Sequence, residues 1–217
     1  SDTGYFKTAK SFKCQSFYLP LCADPDVFCK KATVLRTSPF FCGDANNIRI
    51  QYLKAIQTPV EIWGSHWSKQ ELSQHKVHNK RLSHKQISAY YNTSVAPINM
   101  TFSKNIVDGL NFRIFEIGTS GGLIIVNAGK DLSQCYKVGT ECVTYETPDD
   151  LDKLMSDIVE NPDLLDELQE VADGMQGNHI TLATSEIFEK IYGLELAVCE
   201  QNMPLWRYDE WLESYGY

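Results

Sequence analysis

Short apolar runs alternate along this chain with stretches whose apolar residues recur every three or four positions. Pro39-Phe-Phe-Cys42 predicts a strand that ends at Gly43-Asp44. Asn46 or Asn47 can cap a following helix, where Ile48, Tyr52, Leu53 and Ile56 fall at helical spacing. Val60-Glu-Ile-Trp63 predicts the next strand, stopped by Gly64. A short helix is expected over 69–76 and a brief basic strand or loop over Lys76–Arg81. Ser83 caps a helix carrying Ile87, Tyr90 and Tyr91, and Val95–Asn99 is a further strand. A polar loop then leads to Asp108 and a helix from about Leu110 to Ser120, terminated by Gly121-Gly122. Leu123–Val126 is continuously apolar, as in a strand covered on both faces. Glu141–Tyr145 gives the last strand. Thr147-Pro-Asp-Asp then starts a helix with a cap residue, a first-turn proline and first-turn acids. Asn161-Pro-Asp starts another in the same way, and 178–192 is a third helical stretch.

Strands alternating with helices imply an α/β fold: a Rossmann-like parallel sheet with helices on both faces and a helical C-terminal extension. The pattern divides the chain into an N-terminal segment (1–37), a Rossmann-like domain (38–192) and an aromatic, acidic tail (193–217) that packs back on the body. Within the first segment, Ser16–Cys22 reads as a strand and Ala23–Phe28 as a turn or single helical turn; the segment is either an extra strand at the sheet edge or the end of a unit that precedes the sheet. Ligands of such sheets sit beyond the carboxyl ends of the strands. Gly43-Asp44, Gly64-Ser65-His66-Trp67 and the loop 100–111 all follow strands, so they are expected to meet on one rim.

Composition narrows the choice of ligand. The 217 residues can bury one substantial core, and a net charge of −8 argues against a general nucleic-acid binder. It leaves room for a local cationic pocket. No apolar run is long enough to span a membrane, and the first residues lack a basic-then-apolar leader pattern. Seven cysteines, an odd number with no CxxC spacing, suggest thiols in a reducing, cytoplasmic compartment rather than a zinc site. His66, His75, His78 and His84 are spaced poorly for a metal; His66, in the rim loop, is the one with a candidate role.

The most informative stretch runs from Asp108-Gly-Leu-Asn-Phe-Arg-Ile-Phe-Glu116 to Gly121-Gly122 and the strand behind it. Two carboxylates flank a helix start, with Arg113 between them. A helix N-terminus attracts phosphate, and carboxylates accept hydrogen bonds from sugar hydroxyls. Arg113 and Arg49 are candidate diphosphate clamps, with Arg81 a weaker one. Trp67 is a candidate stacking partner for a nucleobase, whereas Trp63, on a strand, suits the core. Asp108 has a second reading, as the helix N-cap.

These residues resemble the C-terminal, nucleotide-sugar-binding half of GT-B glycosyltransferases, in the CgeB-like branch of glycosyltransferase group 1. That family pairs two acids eight residues apart with a glycine five positions after the second. Here Asp108, Glu116 and Gly121 hold those places, with Asp where the family usually has Glu. Tyr18–Phe28, Phe40–Gly43 with Arg49, Ile62–Trp67 and Thr144–Leu151 resemble further family elements in the same order. The resemblance implies a UDP-linked donor sugar and transfer to a hydroxyl of a glycan or small acceptor, without a cofactor or metal. It implies Glu116 at the ribose, Asp108 at the transferred sugar or as a base, and Arg113, Arg49 and Arg81 near the diphosphate. Gly43, Gly109 and Asn111 would line the donor, with His66 and Trp67 beside it. A full GT-B enzyme also has an acceptor-binding half, so a non-catalytic nucleotide-sugar-binding or docking module of a larger polypeptide is the alternative. A flavodoxin-like or receiver-like regulatory domain is a third, without the Asp cluster a receiver needs.

Overall fold

The computed structural model describes residues 2–13, 20–31, 37–68, 71–101, 104 and 106–161. In chain order the elements are a 3-10 turn at Thr3–Tyr5, α1 Phe6–Ser11, β1 Phe40–Cys42, α2 Asn47–Ala55, β2 Glu61–Trp63, β3 Lys76–His78, α3 His84–Thr93 and β4 Pro97–Asn99. Then follow α4 Phe112–Thr119, β5 Ile125–Asn127, α5 Leu132–Cys135, β6 Val143–Tyr145 and α6 Pro148–Glu160. The strands form one sheet in the order β3-β2-β1-β4-β5-β6, with every pairing parallel. Chain direction across the sheet therefore reverses between β1 and β4, which is where such sheets open a ligand crevice.

Alternation along the strands feeds two apolar layers. Phe41, Ile62, Ile98, Ile125 and Tyr145 point to one face, where Leu53 of α2 and Leu151, Met155 and Ile158 of α6 cover them. Phe40, Ile124 and Val126 point to the other, under Ile87 and Tyr91 of α3 and Ile114, Phe115 and Ile117 of α4. Burying a side chain of this size stabilises by about 1.5–3 kcal/mol, so both layers are needed to hold strands of three residues.

The local signals act as the sequence suggested. Asn46 accepts from the Arg49 amide at 3.0 Å to start α2, and Ser83 with Gln86 and Thr147 with Asp150 close reciprocal capping boxes on α3 and α6. Gly121, at φ 72°, ends α4: its amide donates to Gly118 O and that of Gly122 to Ile117 O, the paired bonds of a left-handed helix stop.

Two expectations are corrected. Residues 71–75 form a turn rather than part of a helix, because Leu72 is buried and His75 is bonded on both ring nitrogens. The α4 helix starts at Phe112, with extended Asn111 at its N-cap position, so Asp108 is not the cap. The expected strand at Ser16–Cys22 falls largely outside the described residues, as do the helices after Asn161 and the tail. Ala23–Phe28 is a turn, as expected. No helix among the described residues is long and apolar enough to cross a membrane.

His75, 8% exposed, carries a pH prediction. Its Nδ1 accepts from the Val60 amide at 3.1 Å and its Nε2 lies 2.6 Å from Leu53 O, so the neutral ring donates from Nε2. A second proton would face the Val60 N–H. Burial lowers its pKa, against the opposing pull of Leu53 O and Asp152. The unfolded chain therefore takes up this proton first, and stability should fall as pH drops through the free-imidazole value of about 6.5, levelling off below the folded pKa. Urea midpoints should be lower at pH 5.5 than at pH 7.5, and His75→Gln should flatten that difference. An unchanged slope in the variant would remove His75 as its source.

Candidate functional site

The loops at the carboxyl ends of β1 and β4 are bridged by one guanidinium. Arg49, in the first turn of α2, donates to Asp44 O at 2.9 Å after β1 and to Met100 O at 3.3 Å after β4. Its centre lies 5.5 Å from the Phe41 ring, and its Nε is buried with no hydrogen-bond partner. Burial, then the like charge of Arg113, push its pKa down, against the pull of Asp44. A second guanidinium thus lies within electrostatic reach. Arg113 pairs with Glu116 one helical turn on, at 2.5 Å, and faces the buried Tyr91 hydroxyl. Burial opposes its charge, but Tyr91 and Glu116 outweigh burial and raise its pKa. The Cys42 thiol at the end of β1, raised by burial, feels Arg113, Glu116, Asp44 and Arg49 together. Two cations and two anions therefore share the space above β1.

The loop after β2 closes one side. Gly64, at φ 152°, lets its backbone pass against Gly43, since a Cβ there would stand 2.1 Å from Gly43 O. Asp44 accepts from the Ser65 amide at 2.9 Å and pairs with Arg81, which holds its carboxyl below the usual range. Gly43 itself lies under Arg49, where a Cβ would come 3.0 Å from Nη1. The opposite side is a set of amides. Asn111 Nδ2 donates to Asn99 Oδ1 at 2.9 Å, leaving Asn111 Oδ1 and Asn99 Nδ2 buried and unpartnered. Asn127 Oδ1 accepts from the Thr101 amide at 2.7 Å.

The structure brings Arg49, Arg113 and Glu116 together and ties Arg81 to the same rim through Asp44. Gly109 is buried beside Asn111 in the loop leading to α4. Asp108 instead pairs with Lys130 at 2.9 Å, on the side towards β5. His66 sits exposed at φ 68° on the β2 loop, and among the described residues no side-chain hydrogen bond links it to Asp108. Trp67 is a correction. It is 1% exposed, its indole donates to Gly43 O at 2.8 Å and it packs edge-on against Phe41, so its faces belong to the core. Trp63 is only half-buried and stacks on His78 with ring centroids 3.8 Å apart.

Sequence reasoning missed Asn99, Asp44 as an organiser, and Asp131, which is fully buried. An Asn closing an apolar strand was a visible signal for Asn99. For Asp131, in a loop after β5, the sequence carried none.

A family model described as glycosyl transferase-like matches residues 47–183. Among solved structures, AviGT4, a glycosyltransferase involved in avilamycin A biosynthesis, superposes with a TM-score of 0.55 at 15% identity, over 78% of this chain and 55% of that one. A sucrose-phosphate synthase from Thermosynechococcus elongatus superposes with a TM-score of 0.57 at 12% identity, over 88% of this chain and 56% of that one. This chain therefore spans about half the length of those proteins. A [Co(II) methylated amine-specific corrinoid protein] reductase from Methanosarcina barkeri is 40% identical over 63 residues, 29% of this chain and 12% of the reductase. That stretch is too short a share of either protein to bear on the fold.

Proposed function

This chain belongs to the glycosyl transferase-like family and has the fold of a GT-B glycosyltransferase half, and on that premise we propose that its β1–β4 crevice binds a nucleoside-diphosphate sugar, with UDP as the nucleotide. The observation that carries the reading is Arg49. It stands where the sheet order reverses, and its partly buried charge is met chiefly by two backbone carbonyls, with one N–H unpartnered. A buried donor without a partner costs about 1–3 kcal/mol, and phosphate oxygens would satisfy it. Arg113 supplies the second cation. Glu116, paired with Arg113, would exchange part of that bond for the ribose hydroxyls.

Transfer from such a donor builds negative charge on the departing diphosphate, and preorganised guanidinia stabilise that charge better than mobile water does. The loop 108–111 would hold the transferred sugar, with Asp108 released from Lys130 to meet a hydroxyl. The acceptor would be a hydroxyl of a glycan or small molecule, with His66 on the open side of the rim. A second reading is favoured by the share of the structural relatives that this chain spans: a donor-binding unit that needs another domain for its acceptor.

A thermal-shift panel of UDP-, GDP- and dTDP-sugars tests the donor. A ligand at 100 times its dissociation constant should stabilise the chain by about 2.7 kcal/mol, and Arg49→Ala should abolish the shift for the best donor. No shift with any member at millimolar concentration would refute the donor site. UDP release by the chain alone, with acceptor sugars present, separates the two readings: turnover supports the transferase, and binding without turnover the donor-binding unit.

A further inference from the structure

The amide loop that leads into α4 is already occupied, by a carboxylate of the chain itself. Asp2 accepts from the Val107 amide at 2.8 Å, from the Asp108 amide at 3.0 Å and from its own neighbour Gly4 at 2.9 Å. Burial alone would raise its carboxyl, but the amides of Val107, Asp108, Gly4 and Gly109 outweigh burial and hold it below the usual carboxylate range. Successive backbone N–H groups converging on one anion form a nest, the same arrangement that binds phosphoryl or other oxygen-rich groups.

A reciprocal latch holds the segment in place. Asp131, fully buried, accepts from the Thr3 amide at 2.8 Å, from the Thr3 hydroxyl at 2.5 Å and from Gln134 Nε2 at 2.9 Å. The Asp131 amide in turn donates to Asp108 O at 3.0 Å, so the residue that holds Thr3 is itself tied to the turn that Asp2 caps. Between them Gly4 fits only because it lacks a side chain: a Cβ would stand 2.5 Å from Val107 Cβ. The neighbouring Asn99, 2% exposed with Nδ2 unpartnered, marks this end of the crevice as built for one more acceptor than the chain supplies.

Resting on the donor-site reading above, we infer that residues 2–4 are an intramolecular strap that competes with the donor for the amides of 107–109. The Asp2 carboxylate stands in for oxygens of the donor, either those of the diphosphate or the hydroxyls of the transferred sugar. Donor binding then requires the strap to leave, and whatever draws Asp2–Gly4 away raises donor affinity.

Gly4→Ala and Asp2→Ala, in the whole chain, release the strap without changing any residue of the crevice. Calorimetry with the best nucleotide sugar of the panel and with its free nucleoside diphosphate should show at least threefold tighter binding in both variants. Amide exchange at 107–109 should be faster in both before ligand is added. A gain for the nucleotide sugar alone places the competition at the sugar, and a gain for both ligands places it at the diphosphate; either supports the strap. Unchanged or weaker binding would overturn the strap and leave the donor site standing, as would undiminished amide protection in Asp2→Ala. Binding of neither ligand by any form would overturn the strap together with the donor reading.

Discussion

Gly64→Ala should destabilise the protein by about 3 kcal/mol or more, a large folding loss for the addition of one methyl group. Two effects add. The Cβ would sit 2.1 Å from Gly43 O and 2.9 Å from Trp67 Nε1, inside contacts already made by backbone and by a buried ring. Forcing extra atoms into packed space typically costs about 1–3 kcal/mol. The φ of 152° adds strain of about 1–3 kcal/mol, since alanine avoids that region. Relief is hard to find, because the Gly43 N–H is fixed by its hydrogen bond to Trp63 O and the Trp67 indole by its hydrogen bond to Gly43 O. Urea denaturation should show a lower midpoint with an unchanged slope. The neighbouring Ser65→Ala should cost far less, about 1 kcal/mol at most, since Asp44 keeps its bond from the Ser65 backbone amide and loses only the lesser contact with the Ser65 hydroxyl. A Gly64→Ala loss below about 1 kcal/mol would mean that the two loops can part without penalty.

How far the sequence carried this description depends on the range of each interaction. Strand and helix identity rest on local patterns, so Phe40–Cys42, the Ser83 cap, the Thr147-Pro148 start and the Gly121 stop could be found from neighbours alone. The parallel sheet followed from the alternation. The turn at 71–75 could not be found in this way, because His75 is held there by Val60 and Leu53, respectively 15 and 22 residues away. Trp67 shows the same limit from the other side. A turn after Gly64 suggested an open ring, but whether it faces solvent depends on Gly43 and Phe41, which reach it through the β1–β2 pairing.

The site divides along the same line. Arg49, Arg113 and Glu116 were visible because α4 and the first turn of α2 place them by helical geometry. The amide pair Asn99–Asn111 and the Asp2 contact at 107–108 join residues 12 and more than 100 positions apart, and only the folded chain brings them together. Asp131 gives no warning in the sequence because a buried acid is stable only with donors, and its donors come from Thr3 and Gln134. The apparent surplus of acid in this chain is thus partly internal capping.

Arg113→Ala should reduce affinity for the nucleoside diphosphate at least tenfold, about 1.4 kcal/mol, and lower folding stability as well. The second effect has its own cause. Glu116 is 8% exposed, and Arg113 is its ion-pair partner at 2.5 Å. Without the arginine a mostly buried carboxylate loses its partner, a change that costs about 1–3 kcal/mol or more for a charged group. Loss of affinity could therefore be a by-product of damage to α4, and the double variant Arg113→Ala/Glu116→Ala separates the two. Removing both charges together should restore most of the folding stability, because no carboxylate is left stranded beside Tyr91 and Cys42. Affinity should stay at least tenfold below that of the parent, because the cation proposed to meet the diphosphate is still missing. Calorimetry and urea midpoints on Arg113→Ala, Glu116→Ala and the double variant give both quantities. If binding recovered along with stability in the double variant, Arg113 would be a brace for Glu116 and the diphosphate would have to be held by Arg49 alone. Arg113→Lys sharpens the contrast. It keeps the charge but not the planar fork, so it should preserve stability better than affinity if two phosphoryl oxygens are gripped at once.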